Sequence, residues 1–150
     1  MPNERPFLTV QHPFSLRWAI LEDDGVGAWL YITEPDQPVP IADCLVYSCI
    51  EPVEAIPGEW DRKSPPPLTR DFASERAWQP DATSARIRLA WSSNGRGAVV
   101  VMDDEPVAFL TVGARRGCSK SIARSGRYGN SWDEALFESV FAEHADPASG

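Results

Sequence analysis

Histidine, lysine and cysteine are scarce in this chain of 150 residues, and each scarcity removes a class of chemistry. The two histidines, His12 and His144, stand far apart, and no CxxC, HxxxH or HExxH spacing occurs. Neighbours in sequence therefore build neither a zinc site nor a metalloprotease motif. The three cysteines, Cys44, Cys49 and Cys118, are too few and odd in number for a disulfide framework. Free thiols suit a reducing compartment, so a cytoplasmic protein is expected. No apolar run reaches the ~20 residues that cross a bilayer. The opening MPNERPFLTVQHPF lacks the basic-then-apolar order of a secretory leader. Lysine occurs only as Lys63 and Lys120 against twelve arginines, which reads as codon usage, as in some bacterial genes, rather than as a device.

Motifs for nucleotides and for acyl transfer are missing as well. In GCSKS, Gly117 and Lys120 are separated by Cys118 and Ser119, whereas a phosphate-binding loop needs the lysine directly after glycine. Gly126 and Gly129 follow, so no helix N-terminus is expected at Lys120. No G-x-S-x-G elbow exists. Neither a metal nor a cofactor is expected.

What is present is acid, aromatics and alternation. The net charge of −8 repels phosphate backbones and anionic membranes, leaving basic proteins or neutral small molecules as partners. With 43% hydrophobic residues the chain can bury a core without staples, and its length fits a single domain over 1–150. Residues 1–14, with three prolines, read as an extended lead-in. LRWAILE (16–22) and AWLYIT (28–33) flank DDGVG and read as a β-hairpin with Trp18 and Trp29 facing the core. The three prolines of EPDQPVPI should break the sheet before a third strand, DCLVYSCI (43–50).

Residues 51–80 carry six prolines with Trp60, Phe72 and Trp78, and read as a stiffened loop packed over the core. A short helix at TRDFASERA with Thr69 as N-cap is expected within it. ARIRLAW (85–91), AVVVM (98–102) and VAFLTVG (107–113), joined by short turns, form an antiparallel meander in which Ile87, Leu89 and Trp91 face inward. SWDEALFESVFAEH reads as an amphipathic helix over 131–144, with Ser131 and Glu134 as a capping box, before a tail at 145–150. The expectation is an α+β domain: an antiparallel, meander-rich sheet of about six strands with one C-terminal helix packed on it.

Charge is distributed unevenly. Residues 14–61 hold ten acids against Arg17 alone, and 113–128 hold Arg115, Arg116, Lys120, Arg124 and Arg127 with no acid. The adjacent 131–146 carry five acids and no base, so the basic loop is expected to be neutralised within the fold, by this neighbouring segment and by the acidic first half. Two functional readings follow. The first is a non-catalytic binding protein, inhibitor- or immunity-like in its general composition, that meets a basic protein through its acidic first half. Its candidate contacts are Glu51, Glu54, Glu59, Trp60 and Asp61. The second is an anion or small-molecule site, or a minor enzyme activity, at 113–130 using Arg115, Arg116, Cys118, Lys120, Arg124 and Tyr128. There the surrounding cations would lower the Cys118 thiol pKa, and His12 or His144 would have to serve as base. Pairing of two chains through the edge at 43–50 is a third, structural option.

Overall fold

A computed structural model describes residues 5–60 and 63–142. Nine strands and one helix are found among them: β1 (Phe7–Gln11), β2 (Trp18–Asp23), β3 (Gly27–Glu34), β4 (Gln37–Ser48), β5 (Ile87–Trp91), β6 (Gly97–Met102), β7 (Glu105–Thr111), β8 (Cys118–Ser119), β9 (Asn130–Ser131) and α1 (Glu134–Phe141). The fold is α+β and dominated by antiparallel pairing. The strands divide between two sheets, ordered β1-β2-β3-β4 and β5-β6-β7-β8-β9, and only β8 and β9 pair in parallel.

Side-chain alternation explains why the sheets stack. One face of β1–β4 presents Ala19, Leu21, Leu30, Ile32, Cys44 and Val46, and these meet Leu89, Ala98, Val100, Ala108 and Leu110 of the second sheet in one continuous core. Leu89 faces inward, with Ile87 and Trp91 packed at the margin of that core, as the alternation of β5 requires. The outer face of the second sheet is closed by α1, where Phe109 meets Trp132, Phe137 and Phe141.

Local expectations fail where distant contacts decide. β4 begins at Gln37 and includes Pro38 and Pro40, so the prolines do not stop the sheet. They are tolerated because β4 is the last strand of its sheet and its register shifts beside Thr33. The segment at Thr69 is not helical. Its hydroxyl donates to Asp71 in a tight turn, and the only short helical turn nearby is the 3-10 stretch Ala82–Ser84. The N-cap of α1 is Asp133, whose carboxylate accepts from the Leu136 amide at 3.0 Å, and not Ser131, which lies in β9. Trp18 is 38% exposed on the outer face of the first sheet. Trp29 shares that outer face and is buried by a covering coil rather than by the inter-sheet core. The outer edge of β4 is not free over 43–48: its amides at Asp43, Leu45 and Ser48 donate to the carbonyls of Arg115, Tyr128 and Ala77. Gly117 permits this closure, since a Cβ there would lie 2.3 Å from the Phe109 carbonyl oxygen and 2.9 Å from the Cys44 sulfur. Among the described residues no helix is long and apolar enough to cross a membrane.

Candidate functional site

The outer face of the first sheet carries Phe7, Ile20, Glu22, Trp29, Tyr31, Asp43 and Leu45. The proline-rich coil covers only one end of it. Leu68 and Ala77, with Ile122 and Tyr128 from the basic loop, bury Trp29 and Leu45 there, and Phe72 packs against them. Tyr128 ties the cover down: its hydroxyl donates to the Pro67 carbonyl at 2.7 Å, and its own carbonyl accepts from Leu45 at 2.8 Å. The coil therefore packs over a sheet as expected. Beside its residues Lys63, Ser64, Pro65 and Pro66 runs an open groove of about 890 Å³.

Both the acidic first half and the basic loop contribute to this groove. Glu22, Asp24, Tyr31 and Asp43 of the first sheet line it together with Phe7 and Trp29, and the loops bring Lys63, Arg116 and Arg127 to the same lining. Burial first, then the charges of Glu22, Asp43 and Asp24, pushes the Tyr31 phenol up to about 12. Burial also raises the Asp43 carboxyl, against the opposing pull of Arg116, whose guanidinium lies 2.7 Å from it. Asp24 accepts the amides of Val26 and Gly27 at 2.9 and 3.0 Å, which shapes the β2–β3 turn and holds a carboxylate at the groove's end. Glu22 is exposed. The sheet's own contribution is thus aromatic and anionic, with Glu22 and Asp24 beside the rings of Phe7 and Trp29, a surface suited to a cation on an apolar stem.

The sites expected from the sequence are dispersed. Glu51 and Glu54 both face Arg70, Glu59 is exposed, and Asp61 lies outside the described residues. Trp60 is half-buried and donates its indole N–H to the Ser64 carbonyl at 3.3 Å. It lines a shallow hollow that shares Ser64 and Pro66 with the groove, so this cluster adjoins the site without forming it. The basic loop does not converge on a ligand position. Arg116 pairs with Asp43, Lys120 with Glu105 at 2.9 Å, and Arg124 with Asp71 at 3.0 Å. Lys120 also sits 4.5 Å from the Trp132 ring centre, and Arg124 4.3 Å from that of Phe72. The paired acids are therefore Asp43, from the acidic first half, with Asp71 and Glu105. Arg115 is exposed and Tyr128 fully buried.

Cys118 is 4% exposed, and burial pushes its thiol up, the opposite of an activated nucleophile. Cys44 and Cys49 are raised too, Cys49 to about 12, chiefly by burial; its thiol donates to Asp23 at 3.2 Å. That buried carboxylate also accepts from the Tyr47 hydroxyl at 2.7 Å, which anchors the end of β2. His12 uses both ring nitrogens: Nδ1 accepts from Ser15 at 3.0 Å, and Nε2 donates to the Ser93 carbonyl at 3.1 Å. It clamps two loops together and is not disposed as a base. His144 lies outside the described residues. No group of three His, Cys, Asp or Glu side chains placed to hold a metal occurs among the described residues.

Glu22, Asp24, Tyr31 and Asp43 were not singled out from the sequence. The available signal was phase: Ile20 and Glu22 alternate together on β2, and Trp29 and Tyr31 on β3. Acid in step with aromatics on paired strands marks a face that is not wholly apolar. No protein-family model, curated protein or solved structure matches the chain.

Proposed function

We propose that this is a non-catalytic binding protein, of an inhibitor-like kind, whose groove on the first sheet receives a basic segment of a protein partner. One observation carries the reading: the carboxylates of Glu22, Asp24 and Asp43 gather beside Phe7, Trp29 and Tyr31 in an open groove of about 890 Å³. Lysine and arginine fit such a place, their charged heads against carboxylates and their stems on the rings. A net charge of −8 steers such a partner and repels polyanions. The deep burial of Cys44 and Cys118 and the full engagement of His12 favour binding over nucleophilic catalysis. The pairing of Arg116, Lys120 and Arg124 with the protein's own carboxylates weighs against a phosphate or carboxylate ligand at 113–130.

The test is selection of random phage-displayed peptides on the immobilised protein. Recovered peptides should be rich in lysine or arginine next to an apolar residue. They should be released by about 0.5 M salt, where exposed charges are screened beyond a few ångströms. The double substitution Glu22→Lys, Asp24→Lys should lose them, while Asp104→Lys in the β6–β7 turn should retain them. Enrichment of neutral or acidic peptides, or binding indifferent to Glu22 and Asp24, removes the reading.

A further inference from the structure

The β1–β2 connection, HPFSLR (12–17), is held rigidly from within. Buried His12 accepts the amides of Ser15 and Phe14 at 3.0 and 3.3 Å. The Leu16 amide donates to the His12 carbonyl at 2.9 Å, and the His12 amide to that of Arg17 at 3.0 Å. The Gln11 side chain donates to the Leu16 carbonyl at 3.0 Å. His12 is itself packed against Trp91 and under Gly95. Yet this well-tied loop turns its apolar side chains outward: Phe14 is 86% exposed, Leu16 48% and Trp18 38%. Leu16 also sits at φ 64°, in the left-handed region that disfavours bulky residues. Glycine or asparagine would relieve the backbone at 16, and a polar residue at 14 would be better solvated. Rigidity, strain and exposed apolar surface in one loop mark a preorganised contact.

The geometry points to this hairpin tip as an apolar anchor that inserts into a hydrophobic pocket of a folded protein partner, beside the basic patch that the groove receives. This deepens the groove reading and rests on it. The two surfaces are continuous, because Trp18, Ile20 and Glu22 share the outer face of β2. The anchor is convex, so its complement is concave. The flanking carboxylates of Glu22 and Asp24 call for cations around that pocket. A lipid surface fits less well: the chain carries −8, and the one cation of the loop, Arg17, is engaged by Glu34 at 3.2 Å.

The experiment places the photoreactive residue p-benzoylphenylalanine at position 14, 31 or 88 of the full chain in its native cells. The cross-linked protein is then identified, purified and titrated with wild type, Phe14→Ser and Glu22→Lys. Positions 14 and 31 should trap the same protein, and 88, exposed on the second sheet, should not. Phe14→Ser should weaken binding at least about 30-fold, as loss of an interface anchor does, with unchanged melting temperature and salt dependence. Glu22→Lys should instead flatten the salt dependence. An adduct from 31 without one from 14, or a Phe14→Ser effect under about threefold, overturns the anchor and leaves the groove reading standing. An adduct from 14 alone supports the anchor and rejects the groove. No adduct from either position overturns both. Phe14-dependent flotation with neutral phosphatidylcholine vesicles overturns the protein pocket in favour of a lipid surface.

Discussion

The two outer faces of this sandwich are covered by different means. The second sheet is closed by an amphipathic helix, with Phe109 at the centre of a ring cluster formed by Trp132, Phe137 and Phe141. The first is closed by a proline-stiffened coil, pinned by Leu68 and by the hydrogen bond from Tyr128 to Pro67. A helix satisfies its own backbone and lays down a continuous stripe. A coil must borrow partners wherever it lies, and this one takes them from Tyr128 at one end of the sheet. The first sheet is therefore left with an open, acidic, aromatic end. The lesson is that an incomplete cover leaves a groove on a sheet without a cavity being built for it.

The comparison can be broken most directly through the helical cover. Phe109→Ala should cost about 4 kcal/mol, the usual range for removing a buried ring, read by urea denaturation. Leu68, a side chain of the coil that is 2% exposed against the first sheet, is the matching probe on the other face. Leu68→Ala should cost about 3 kcal/mol if the coil packs like a true layer. A cost near zero there, with Phe109→Ala still severe, would mean the coil is only draped, and the equivalence of the two covers would fail.

Leu16→Gly sharpens the contrast between scaffold and binding surface. It removes side-chain strain at φ 64° and should raise stability by about 1 kcal/mol, visible as a higher melting temperature. A lower melting temperature would show that Leu16 packs within the fold and is not held there at a cost.

The smallest effect is electrostatic. Arg76, then Lys120, hydrogen-bonds Glu105 and holds its carboxyl at about 2 against an ordinary 4.5. A carboxyl depressed by folding contributes stability above its unfolded value and loses it as pH falls toward the folded one. The contribution should fade between 4.5 and about 2. The Glu105 side chain is 45% exposed, so water screens the interaction to ~1 kcal/mol or less. Glu105→Gln should flatten the acid limb of the melting curve, and an unchanged limb would contradict the pairing.

Much of the fold was legible because it is written locally. The hairpin at DDGVG, the β5–β7 meander and the apolar stripe of α1 all follow from periodicities within a dozen residues. The prolines of β4 were misread because an edge position, which makes them harmless, is not a local property. Trp18 and Trp29 were assigned to the core because a strand apolar on both sides does not reveal which side faces which layer. In the basic loop Arg116, Lys120 and Arg124 pair with the protein's own carboxylates, and Arg116 finds Asp43 of the acidic first half across 73 residues, a pairing no local pattern specifies. The groove is illegible for the same reason: its acids lie on two segments, 22–24 and 43, and only the registers of β2, β3 and β4 bring them together around Tyr31.

The central claim is that Glu22 and Asp24, on the uncovered end of the first sheet, hold a basic partner. Titration of a recovered lysine- or arginine-rich peptide against wild type and the Glu22→Lys, Asp24→Lys protein, across a salt series, tests it most directly. The account predicts affinity that falls steadily with salt for wild type and is abolished by the charge reversal, with both proteins equally stable. Equal affinity for the two proteins at every salt concentration would contradict it.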